Sequence, residues 1–70
     1  MHILVLRLSR HGRPLAHWRW ELFSLRHTPL AGGDGFATRL EALLAAEKWA
    51  DVNFPGDRSI EIRPALSEGN

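Results

Sequence analysis

A small α+β domain is what this sequence predicts: a short antiparallel sheet with one helix packed on one face, in the order β-β-(β)-α-β. Three observations predict it. Two segments near the N-terminus alternate with the period of a strand. One long segment, from Phe36 to Val52, carries helix punctuation. A last apolar alternation, closed by Pro64, supplies a strand after the helix.

The first strand is read at residues 2–8, HILVLRL, where aliphatic and β-branched residues run without a breaker. Leu4, Leu6 and Leu8 share one side; Ile3, Val5 and Arg7 share the other. Residues 9–16 form a basic connection punctuated by Gly12 and Pro14. The second strand is 17–25, with Trp18, Trp20 and Leu22 on the core side and His17, Arg19, Glu21 and Phe23 on the solvent side. The two strands pair as an antiparallel hairpin. Thr28 to Ala31 is either a short third strand, marked as an edge by Pro29, or part of the connection. Gly32-Gly33-Asp34-Gly35 reads as a flexible turn into the helix.

The helix is expected from Phe36 to Val52. Thr38 and Glu41 form a capping box: the hydroxyl accepts from the N–H of Glu41 and the carboxylate reaches back to the N–H of Thr38. Asn53 and Pro55 end it. At about 100° per residue, Ala42, Ala45, Ala46, Trp49, Ala50 and Val52 gather on one side, with Leu43 at its margin. The alanines let the helix lie close to the sheet. Leu40 and Leu44 fall on the opposite side and are expected to be exposed. Phe54-Pro55-Gly56-Asp57 has the residue order of a type II turn. The last strand, 58–63, turns Ile60 and Ile62 inward. The domain thus covers residues 1–64, and 65–70 is a frayed tail.

Composition narrows the function. A chain of 70 residues is one domain near the small end of what folds alone. It has no cysteine, so no disulfide or thiolate metal site can staple it. The longest apolar run, Ile3 to Leu6, is far below the ~18 residues of a membrane span, and the start lacks a signal-peptide pattern. A cytoplasmic protein without a membrane contact is expected. The net charge is only +1, yet it is unevenly spread. Residues 1–33 carry Arg7, Arg10, Arg13, Arg19 and Arg26 against Glu21 alone; residues 34–70 carry seven acids against four bases.

No catalytic set stands out. Cysteine and tyrosine are absent, and Ser9, Ser24, Ser59 and Ser67 lie in no nucleophile context. His11 and His17 have no zinc spacing, so no metal and no cofactor are expected. The glycine turn precedes a helix but lacks the lysine of a phosphate loop. A non-enzymatic role follows as the expectation.

Two surfaces suggest what that role is. A sheet covered on one side leaves Ile3, Val5, Arg7, Arg19, Glu21, Phe23 and Leu25 on the other, an apolar centre rimmed by arginine. With Leu40 and Leu44, this points to protein–protein contact through Ile3, Val5, Phe23, Leu40 and Leu44, with a partner or as a homodimer. Small adaptors and inhibitors, including phage or mobile-element accessory and anti-defence proteins, are the analogy. The alternative is a nucleic-acid module using Arg7, Arg10, Arg13, Arg19 and Arg26, because arginines interleave with aromatics along 17–26. The isoelectric point near 8.6 is modest for such a binder.

From Trp18 to Trp49, HWRWELF followed by a turn and GFATRLEALLAAEKW resembles the strand–turn–helix of two groups of small domains. One is the AP2-like and integrase arm-type DNA-binding domains, in which a three-stranded sheet reads DNA and a helix backs it. The other is the YegP-like group. Phe36, Thr38, Glu41, Ala42 and Trp49 would be structural positions in either. The sparser basic sheet and the strand at 58–63 depart from the DNA-binding pattern and favour the second group, which implies little about activity.

Overall fold

Strand β1 (His2–His11) occupies the interior of the sheet, and its sequence explains why. Leu4, Val5, Leu6 and Leu8 are all buried, so both faces of this strand are apolar. Antiparallel to it runs β2 (His17–Ser24), whose other neighbour is β3 (Pro29–Phe36). The helix α1 (Arg39–Asn53) follows, and β4 (Arg58–Pro64) returns to pair with β1. The spatial order is β3-β2-β1-β4. This computed structural model describes residues 2–12 and 15–64. Arg13 and the tail expected at 65–70 lie outside the described residues.

The α+β class and element order agree with the sequence reading. The sheet is mixed, however, because β4 runs parallel to β1. The crossover through α1 brings the chain back to the same end of the sheet, so the last strand enters in the direction of the first. Of the segment 28–31, Pro29 to Ala31 do belong to a strand, and Pro29 does mark an edge. The glycine stretch Gly32–Gly35 is not a turn. It continues β3, with irregular register between Trp18/Trp20 and Leu22/Phe23. Phe36 ends this strand rather than starting the helix. β1 also runs three residues beyond the expected Leu8, to His11, opposite the start of β2.

Thr38 is the N-cap, in extended geometry, and its hydroxyl accepts from the Glu41 N–H at 3.1 Å. Glu41 Oε1 accepts from the Ala37 N–H at 3.1 Å, one residue before the expected Thr38 N–H. Replacing Thr38 with alanine is therefore expected to cost about 1 kcal/mol, read as a lower urea midpoint with an unchanged slope. At the other end the Phe54 N–H donates to the Ala50 carbonyl, and Gly56 takes the positive φ that the type II turn assigned to it. Arg58 donates to the Phe54 carbonyl and pairs with Asp51, tying the start of β4 to the end of the helix.

Leu4, Leu6, Leu8, Trp20, Leu22, Ala42, Ala46 and Ala50 form one core, with Trp18, Trp49, Phe36 and Ile60 packed on it. The three buried alanines recur every four residues, so they line one stripe of α1 against the sheet. Small side chains there let bulky ones on the strands fill the layer. Two expectations fail at its margins. Val52, expected in the stripe, is exposed, because at about 100° per residue it lies about 200° round the helix from the buried Ala50. Ile62 is exposed too, although it shares a side with Ile60, because α1 lies over β2, β3 and β1 and leaves the outer part of β4 open.

Candidate functional site

The side of the sheet opposite α1 is the candidate site, and strand register assembles it row by row. Val5 lies between Phe23 of β2 and Glu61 of β4; Arg7 lies between Glu21 and Arg63. Ile3 and Ser59 form the row before, and Ser9 with Arg19 the row after. His11 and His17 close the face at the hairpin end. This is the solvent face expected from the sequence, with the residues of β4 added to it.

The centre of the face is apolar but closed. Val5 is 1% exposed although no second layer covers this side. Its cross-strand and same-face neighbours occupy the space above it. Val5 was expected as a contact residue, and burial corrects this: it supports the surface without reaching out of it. Ile3 remains exposed and Phe23 is half-buried. The guanidinium of Arg7 lies 5.2 Å from the centroid of the Phe23 ring. Stacked in this way, arginine keeps its charge while its stem and the ring exclude water from each other. Arg7 Nε is buried without a hydrogen-bond partner among the described residues.

The five protein-contact residues do not form one patch. Ile3, Val5 and Phe23 belong to the open sheet face, whereas Leu40 and Leu44 lie exposed on α1, on the other side of the sheet. The nucleic-acid set is dispersed as well. Arg7 and Arg19 share the open face, but Arg10 pairs with Trp18 and so points to the helix side. Arg26 lies in the tight turn between β2 and β3, at the opposite end from the 9–16 connection. That turn is set by Ser24, whose hydroxyl accepts from the N–H groups of Arg26 and Thr28 while His27 takes a positive φ. Leu25, expected on the open face, is exposed in this same turn. The open face also gains Glu61, held by Arg63 at 3.0 Å, which offsets its basic character.

The sequence reading missed a polar row at the hairpin end. Ser9 Oγ and His11 Nε2 are 2.7 Å apart. The His11 and His17 rings are 6.4 Å apart, and His17 Nε2 lies 3.0 Å from Asp34 Oδ1. The extension of β1 and the strand character of Asp34 bring these groups together; the alternation Arg7, Ser9, His11 was the available signal. The row does not form a nucleophilic triad. The hydroxyl and the carboxylate contact different imidazoles, and Ser9 is only 5% exposed. Beside it, a shallow cleft of about 290 Å³ lies between Arg19, Glu21 and the bare backbone of Gly32 and Gly33. Among the described residues, no group of three or more His, Asp or Glu is placed to hold a metal, and no helix is long and apolar enough to cross a membrane. Comparison with protein-family models, with curated proteins and with solved structures finds no match to this chain.

Proposed function

We propose that this is a non-catalytic binding protein that works by protein–protein contact through the open sheet face, as an adaptor or inhibitor. One observation carries the reading: a four-stranded sheet has its helix on one side, and the other side presents Ile3 and Phe23 beside a stacked arginine. Arginine and aromatic side chains held rigidly around an apolar centre are the groups that anchor protein interfaces. Interspersed charges at the rim, Arg19, Glu21, Glu61 and Arg63, would set register and exclude wrong partners. A cysteine-free chain suits the reducing cytoplasm, where we place the contact.

Partner capture with immobilised protein tests this. Phe23→Glu is expected to lose a partner that the wild type retains, whereas Leu44→Glu keeps it; circular dichroism confirms that both variants fold. Identical capture by wild type and Phe23→Glu removes the open face from the proposal. The same preparations are titrated with duplex and single-stranded DNA at two salt concentrations. Salt-dependent binding that Arg7→Glu and Arg19→Glu abolish would favour the nucleic-acid reading instead.

A further inference from the structure

The geometry points to self-association through the free edge of β4, joining two copies of this chain into one continuous sheet across a two-fold axis. Both outer strands of the sheet are edges, but they differ in how well they are guarded. β3 carries Pro29, three glycines and two irregularities of register, all of which hinder strand addition. β4 is uninterrupted from Arg58 to Arg63, and Arg58 anchors its start to the helix through Asp51 and the Phe54 carbonyl. It is a short, pre-ordered edge.

The direction of its backbone groups follows from one hydrogen bond. The His2 N–H donates to the Asp57 carbonyl at 3.1 Å, so Asp57 faces β1. Along a strand the sense alternates, which turns Ser59, Glu61 and Arg63 toward β1. The N–H and C=O groups of Arg58, Ile60 and Ile62 therefore face outward. Ile62 is also 45% exposed on the helix side, where α1 does not reach.

Charge selects the register. In an antiparallel pair centred on Ile62, the Ile62 N–H groups donate to each other's carbonyls. Each Ile60 N–H donates to a Pro64 carbonyl of the second copy; proline has no N–H to return, so each Ile60 carbonyl stays turned to solvent. Ile62 then meets its own copy on the helix side. On the open side Glu61 lies directly opposite Arg63 of the second copy, twice by symmetry, extending the Glu61–Arg63 pair seen within one chain. Centring the pair one step earlier, on Glu61, would set the two glutamates against each other. The interface is isologous and closes at two copies.

Light scattering over a concentration series, with sedimentation as a check, tests the inference. The wild type is expected to form a dimer. Glu61→Arg or Arg63→Glu alone puts like charges opposite and weakens the dimer by roughly tenfold or more. The double exchange restores opposite charges and the dimer with them. Ile62→Lys gives a monomer. In hydrogen exchange, the Ile62 amide gains protection as concentration rises. Phe23→Glu and Leu44→Glu leave the dimer intact, which separates this contact from the partner face above. A monomer up to about millimolar concentration, a dimer indifferent to the charge exchanges, or a dimer dissociated by Phe23→Glu or Leu44→Glu would each overturn the inference.

Discussion

Leu22→Ala is expected to destabilise the domain by about 3–5 kcal/mol, the range for a large aliphatic side chain removed from a site that cannot collapse. Leu22 is fully buried, between Leu6 of β1 and Ala31 of β3 on the helix side. The layer above it is built on Ala42, Ala46 and Ala50, whose short side chains cannot reach down to fill a void. A domain of 70 residues has a total stability of about 4–10 kcal/mol. The variant should therefore unfold largely at moderate temperature or low urea. Val5→Ala is the control. Val5 is equally buried but lies on the open face, so its loss should cost only about 1–2 kcal/mol, near the transfer value alone. Equal losses at the two sites, measured by urea unfolding at constant slope, would mean that the open face is packed as the helix side is.

The second large effect is expected at Gly33. A Cβ built there falls well inside van der Waals contact of Trp20 Nε1, 3.0 Å from Cε2 of the same ring and 3.3 Å from the Phe36 ring. Trp20 is 5% exposed and wedged in the core, so it cannot swing aside. Gly33→Ala should cost about 1–3 kcal/mol, by forcing either the indole or the edge strand to move. Trp20→Phe removes the Nε1 edge of the ring. In that background the cost of Gly33→Ala should shrink, a coupling that a double-mutant cycle reads directly. Undiminished cost in the Trp20→Phe background would place the strain elsewhere in β3. The indole N–H has no partner among the described residues, which is consistent with a ring chosen here for volume.

These two sites mark the limits of the sequence reading. The alternation placed Ile3 to Leu8 of β1 and His17 to Phe23 of β2 on the correct sides, because a period of two leaves only two registers and the tryptophans select one. The helix was placed for a similarly local reason. Thr38 and Glu41 announce its start, and alanines at intervals of four can approach a sheet while Leu40 and Leu44 cannot. The glycine stretch was misread because its local signal is turn chemistry. What calls for glycine at position 33 is the bulk of Trp20, 13 residues earlier in the chain and directly across the sheet. The candidate site was legible only as a face. That Val5 is buried within it, that Arg7 lies over Phe23, and that Glu61 and Arg63 join it from β4 all depend on which strands are neighbours.

By itself, then, the order of residues determined the element order and the apolar sides of β1, β2 and most of α1, since periodicity and capping act over a few neighbouring residues; it did not reveal that Gly32–Gly35 is strand. Tertiary structure alone decided that β4 returns parallel to β1, that the arginines scatter over two faces and both ends, and that Ser9, His11, His17 and Asp34 meet in one row. Those outcomes follow from pairing between segments distant along the chain. Their cost and gain are set by loop closure, shape and burial, none of which local spacing encodes.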